Sequence, residues 1–274
     1  PPAVLPDQHP APPAAGGSTG LPASAAGNTM PMSNARCGQK TIPFSLRRPG
    51  PGYRLAFVSI PVFLETCLVV RLAASFRTAP PVVFLPRDFA VDIFSPDEIE
   101  CINQFKALKK QVEWMTGRYA AKQLARHFLS GQPALPDTRV AYRDKGAPYF
   151  TSAPALSLSI SHSWDYAVAG LGLLPACILG LDLEKIRPES RSTLLRTAFS
   201  EREVRALQSK DDGALYLNWT AKEAYLKYIG QGFHESLKRV EIIDNTILHD
   251  ARPVPFLALT RHLLLPGYAF SMVC

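Results

Sequence analysis

Cysteine is sparse in this chain and follows no pattern. The five residues (Cys37, Cys67, Cys101, Cys177, Cys274) form no C-x-x-C pair and keep no metal-ligand spacing from any histidine, which argues against zinc and for reduced thiols in a cytoplasmic protein. Long apolar runs are missing too. Phe57 to Val70 is broken by Pro61 and Glu65, and Tyr166 to Leu181 by glycines and Pro175. Neither reaches the roughly 18 to 20 residues that span a bilayer, so no membrane segment is expected and both read as buried strands. Acid is short relative to base: 23 Asp and Glu against 30 Lys and Arg leave a formal charge of +7, which favours acidic or polyanionic partners by steering. The basic residues have no interleaved aromatics, so no stacking platform for nucleic acid is expected. A Walker loop, a kinase signature and a G-x-S-x-G elbow are all lacking.

What is present is enough to fold. The 274 residues are 47% hydrophobic and 19% charged, a globular composition with length for about two domains. The first fifty residues differ, with ten prolines, one aromatic (Phe44) and one acid (Asp7). Such a segment buries too little apolar surface to offset its chain entropy, and residues 1–50 are expected to be a disordered tail. The chain starts at Pro1 and first meets methionine at Met30 and Met32, which fits a fragment or a mis-set start.

From Tyr53 onward β segments are expected through Leu55, Phe57 and Ser59, over Val62 to Val70, and at Val82 to Leu85. Ser95-Pro96-Asp97-Glu98 marks a helix start, a serine cap with proline in the first turn and glutamate three residues on. Helical spacing follows over Ile99 to Leu108 and Gln111 to Ser130. Ser200 with Glu203 forms a second capping box, backed by Phe199 against Val204. A long helix then runs from about Ala214 to Ile229, and Val240 to Cys274 reads as strands. Strands and long helices without strict alternation indicate an α+β fold, with two similar halves as one arrangement.

Three groups can carry chemistry. In Gly180-Leu181-Asp182-Leu183-Glu184, alternation puts both carboxylates on one strand face, roughly 6.5 to 7 Å apart at their α-carbons. Side by side they repel unless a cation lies between them, and magnesium on phosphate oxygens suits oxygen ligands; a solvated edge paired with Lys185 or Arg187 is the plainer alternative. In Trp219 to Lys227, Glu223 and Lys227 are four apart and share a helix face, as a local ion pair or as site residues. In Leu156 to Ser163, an alternating strand delivers hydroxyls and His162 into a turn, where they serve a phosphate or the structure.

Together, G-x-P (Gly146 to Pro148), S-H-S (Ser161 to Ser163), G-L-D-L-E (Gly180 to Glu184), F-S-x-x-E (Phe199 to Glu203) and W-x-x-K-E-A-x-x-K (Trp219 to Lys227) form an ordered set. This set resembles the 4′-phosphopantetheinyl transferases, in length and motif order the surfactin-synthetase and enterobactin-synthetase type. The resemblance implies a pseudo-symmetric, monomeric α+β protein that binds coenzyme A between its two halves, 51–174 and 175–274. It implies magnesium-dependent transfer of the phosphopantetheine arm to a serine of an acidic apo acyl or peptidyl carrier protein, releasing adenosine 3′,5′-bisphosphate.

By motif position Asp182, Glu184 and Glu223 would hold magnesium. Glu223 or a metal-bound water would be the base, and Lys227 would neutralise or protonate the leaving phosphate. Ser161 and His162 would meet the nucleotide phosphates, and Arg118 would face the nucleotide from a helix. Many relatives carry lysine in the middle of G-x-P. Ala147 stands there in this chain, with Arg143 and Lys145 just before it as substitutes, and a non-catalytic coenzyme A binding module is the alternative this departure suggests. The S-x-x-E at Ser200 to Glu203 is assigned to helix capping rather than to the site.

Overall fold

Residues 30–31, 36–37, 40–68, 92–231, 235–255, 257–264 and 267–274 are described by the computed structural model. A first antiparallel sheet is built from β1 (Ser45–Gly50), β2 (Tyr53–Ser59), β5 (Leu158–Ser163) and β6 (Tyr166–Gly172), in the order β1-β2-β6-β5, with Met30–Pro31 as a two-residue strand outside β1. Between β2 and β5 in the chain come α1 (Ile60–Leu68), α2 (Pro96–Asn103), α3 (Leu108–Phe128) and a hairpin of β3 (Val140–Tyr142) with β4 (Pro148–Phe150). The α3 helix lies on this sheet, and Met115, Tyr119 and Leu124 join Val58, Ala167 and Leu171 in one buried cluster.

A second antiparallel sheet joins β7 (Gly180–Lys185) to the last two strands of the chain, Tyr268–Val273 and Leu259–Leu264. Three further helices, α4 (Arg191–Ala198), α5 (Glu201–Leu207) and α6 (Asp212–Tyr228), precede a small meander over Val240–Ile243, Thr246–His249 and Arg252–Pro253. The α6 helix packs across β7 and the Tyr268–Val273 strand. The two sheets share a core: Leu55 and Val168 of the first meet Leu181, Leu183, Phe270 and Met272 of the second. Full burial of side chains of this size contributes about 1.5–3 kcal/mol each.

Both capping boxes form. The Ser95 and Ser200 hydroxyls accept the backbone N–H of Glu98 and Glu203, whose carboxylates accept the cap N–H in return. Each glutamate also takes a buried lysine, Lys122 at 2.8 Å on Glu98 and Lys222 at 2.6 Å on Glu203. Among the described residues no helix is long and apolar enough to cross a membrane.

Two expectations are corrected. The strand that the sequence suggests over Val62 to Val70 is helix from Ile60 to Leu68, and Val69 and Val70 lie outside the described residues. Pro61 sits in the first turn, where its missing N–H costs nothing, and a short apolar run carries no periodicity that separates helix from strand. The tail expected over 1–50 is folded at its end. Ile42 and Leu46 are buried, the Tyr119 hydroxyl donates to the Ile42 carbonyl, and Phe44 meets the Tyr119 ring edge-on. Alternating Ile42, Phe44 and Leu46 supply the apolar face that the prolines around them obscure, and Pro49 is tolerated because its strand lies near the sheet edge. Residues 1–29 and the segment Val82 to Leu85 lie outside the described residues.

Candidate active site

Close contact between α6 and β7 creates the site. A Cβ on Gly180 would stand 2.0 Å from the Ala224 carbonyl oxygen and 2.3 Å from the Tyr228 nitrogen, so only glycine lets helix and strand touch here. Lys222 fixes the same helix from its other side. Its ammonium, fully buried, donates to Glu203 at 2.6 Å and to the Ala198 carbonyl at 2.7 Å, while the second Glu203 oxygen accepts the Ile242 N–H at 2.9 Å. The F-S-x-x-E motif is thus a clamp on α6 as well as a cap.

The strand brings its acids to one face, as alternation requires. Asp182 Oδ1 accepts from Ser161 Oγ at 2.7 Å and from Lys227 Nζ at 2.8 Å; Glu184 Oε2 accepts from Ser163 Oγ at 2.7 Å. Asp182 Oδ2 is buried without a hydrogen-bond partner. Burial first, and then the negative charges of Asp182 and Glu223, push the Glu184 carboxyl up to about 8 against the opposing Ser163 hydrogen bond and Lys227. Glu223 is pushed up as well, by burial and then by Asp182, opposed by Lys227 and by a hydrogen bond from Trp219. Three carboxyl groups therefore feel one another in a setting short of positive charge.

Among the described residues no three acid, histidine or cysteine side chains already stand together as a metal cluster. The donor chemistry nevertheless fits a hard divalent ion: the candidate ligands are all oxygen, one of those oxygens is buried and unpartnered, and burial with neighbouring negative charge raises the proton affinity of two of the acids despite Lys227.

Beside the acids lies a cavity of about 300 Å³, lined by Trp114, Arg118, Lys145, Ala147, His162 and Lys227 among others. Arg118 is 3% exposed, with its guanidinium 3.3 Å from the centre of the Trp114 ring and 4.9 Å from that of Tyr142. Burial lowers its pKa, opposed by Tyr142. The His162 imidazole, 3.9 Å from Glu113, is pushed down by burial; Glu113 opposes this, while Lys227, Lys110 and Lys109 add to it. At neutral pH it is therefore uncharged and acts as a hydrogen-bonding group. Lys109 and Lys110 both lean on Glu113, at 2.5 and 3.6 Å.

Sequence reasoning left Arg143 and Lys145 as equal substitutes for the missing lysine, and the structure separates them. Lys145 lines the cavity and donates to Gln231 at 2.8 Å, tying the β3–β4 hairpin to the chain just past α6. Arg143 is held by the Pro154 carbonyl at 2.5 Å, lies over the Tyr149 ring and lines a neighbouring cavity of about 750 Å³. Ala147 lines both. Ser161 points between the strands at Asp182, whereas His162, the next residue, lines the cavity, because neighbours on a strand face opposite ways. Trp114, Tyr142 and Glu113 were not singled out for the site. Only the i, i+4 spacing of Lys109 and Glu113 signals any of them in advance.

A family model described as the 4′-phosphopantetheinyl transferase superfamily matches residues 178–262. The chain is 28% identical over 176 residues to the human L-aminoadipate-semialdehyde dehydrogenase-phosphopantetheinyl transferase, a match covering 56% of this chain and 53% of that protein. It is 29% identical over 156 residues to the 4′-phosphopantetheinyl transferase HetI of Nostoc sp., covering 54% and 64%. It is 35% identical over 89 residues to a holo-[acyl-carrier-protein] synthase of Streptococcus mutans, covering 30% of this chain and 74% of that protein. The chain spans about half the length of the aminoadipate-semialdehyde dehydrogenase-type relatives it matches.

Proposed function

Because the chain belongs to the 4′-phosphopantetheinyl transferase superfamily, we propose that it moves the 4′-phosphopantetheine arm of coenzyme A onto a serine of an apo acyl or peptidyl carrier protein. Adenosine 3′,5′-bisphosphate leaves as the second product, and magnesium is the cofactor. The observation that carries this reading is the double position of Lys227, hydrogen-bonded to the Asp182 carboxylate at 2.8 Å and also lining the cavity. One ammonium thereby joins the acids to the space beside them.

Phosphoryl transfer asks little covalent chemistry of a protein and much positioning and charge neutralisation. Asp182, Glu184 and Glu223 would hold the ion, which when bound supplies positive charge to the pyrophosphate oxygens. Arg118, Lys145 and uncharged His162 line the cavity as donors for phosphate groups. Glu223, whose affinity for protons is raised by burial, accepts the proton of the incoming serine hydroxyl. That oxygen forms its bond to the phosphorus carrying the pantetheine arm as the bond to the nucleotide phosphate breaks, and Lys227 offsets the charge that develops there.

The same reading includes a pseudo-symmetric arrangement, supported by a long helix on each of the two main sheets. It includes an acidic carrier partner, supported by the +7 charge, and a monomer in the cytoplasm. Incubation with coenzyme A, magnesium chloride and a panel of apo carrier domains, read by intact mass, tests it: one carrier should gain the phosphopantetheine arm. Ala147, at the wall of both cavities, favours a second reading as a coenzyme A binding module without transfer. Coenzyme binding with no mass gained on any carrier would select that reading.

A further inference from the structure

Serine occupies every second position into and along β5: Ser157, just before the strand, then Ser159, Ser161 and Ser163. Their hydroxyl oxygens accept the backbone N–H groups of Leu179, Leu181, Leu183 and Lys185 at 3.1, 3.1, 3.3 and 3.1 Å. Each rung advances two residues on both sides, so β5 and β7 run parallel, joined through side-chain oxygens where a sheet would use carbonyls. The two main sheets meet along this ladder.

A serine hydroxyl has a single proton to give. With its oxygen already accepting from the backbone, the direction of that proton is what each rung has left to choose. Ser157 gives its proton to the Leu179 carbonyl, at 3.3 Å. Ser161 gives it to Asp182 Oδ1 and Ser163 to Glu184 Oε2, each at 2.7 Å. The ladder therefore begins as pure structure and ends by gripping one oxygen of each acid. On Asp182, 4% exposed, the grip and Lys227 both fall on Oδ1, and Oδ2 is left buried and unpartnered. That is the arrangement expected when an outer hydroxyl orients a ligand whose other oxygen serves an ion.

We propose that Ser161 and Ser163 are positioning residues that orient Asp182 and Glu184 for a divalent cation, an inference that rests on the metal site of the proposed function. Neither serine needs to touch the ion. Each fixes the rotation of a carboxylate so that its free oxygen is aimed before the ion arrives.

The test is a titration of the 274-residue chain with manganese(II) chloride alone, read by the electron spin resonance of free manganese, beside a thermal melt of each variant. Ser163→Ala and Ser161→Ala should weaken manganese binding by about ten- to a hundredfold. Ser163→Thr, which keeps the hydroxyl, should bind within about threefold of the natural chain. Ser157→Ala removes a rung that touches no acid, so it should lower the melting temperature while leaving the manganese affinity unchanged. Unchanged affinity in Ser163→Ala, or an equal loss in Ser157→Ala, would overturn the positioning role and leave the proposed function standing. No manganese binding by the natural chain would instead remove the metal site itself, and this inference with it.

Discussion

Lys227 Nζ stands 2.8 Å from Asp182 Oδ1 although 45 residues separate the two in the chain, and the lysine side chain is 28% exposed while the aspartate side chain is buried. The buried acid is held by a cation that still reaches the cavity. Glycine at 180 permits this, since any larger residue would push α6 off β7.

Asp182→Ala should abolish transfer, lowering turnover by at least about 10²-fold, while the fold survives, because Lys227 keeps enough exposure to be solvated alone. Intact-mass assay of the carrier and a thermal melt check the two halves of this statement. Magnesium-dependent turnover retained in the variant would remove Asp182 from the metal site.

Lys227→Ala should lower turnover by about 10²- to 10³-fold and change coenzyme A affinity much less, because its charge is needed most where the leaving phosphate gains negative charge. Calorimetric titration with coenzyme A beside steady-state kinetics separates the two effects. A loss confined to affinity would reassign Lys227 to binding.

The raised Glu184 carboxyl sets a pH dependence. From its ordinary value of 4.5 it is pushed up to about 8 in the folded protein. Between those values the folded state binds more protons, so this group's contribution to stability is present at low pH and is lost as pH rises toward 8. In chelator-treated protein the melting temperature should fall across that window more in the natural chain than in Glu184→Gln. Magnesium, which binds the deprotonated form, should restore more stability at the upper end of the window than at the lower. Equal slopes for the two proteins would contradict the assignment.

Lys222→Ala should cost about 3–5 kcal/mol in urea denaturation, since it strands the Glu203 charge where no water reaches it. Lys222→Met combined with Glu203→Gln, which removes both charges and keeps an acceptor oxygen, should cost less than the single change. Additive losses would show that the pair does not act as a unit.

Much of the site could be read from local spacing. Asp182 and Glu184 share a face because strands alternate, and Glu223 and Lys227 share one because helices turn every 3.6 residues. The capping boxes at Ser95 and Ser200 were equally legible, being four-residue signals. What local pattern could not give is which distant residue completes a pair. Glu203 reads fully as a cap, and nothing near it announces Lys222; His162 reads as a strand-end histidine, and nothing near it announces Glu113. The serine alternation is visible in the sequence, but its partner strand is not, so the hydrogen bond from the Ser161 hydroxyl to Asp182 has no local signal. The helix at Ile60–Leu68 was missed because apolar residues on every side suit helix and strand alike.

Convergence of acids from β7 and α6 on one cation is the claim on which the rest depends. A crystal of the chain grown with coenzyme A and manganese(II), with diffraction measured at the manganese absorption edge, tests it most directly. The account predicts an anomalous peak bonded to carboxylate oxygens of Asp182, Glu184 and Glu223 and to the pyrophosphate. A manganese peak elsewhere, or a bound coenzyme whose pyrophosphate is remote from these acids, would contradict it.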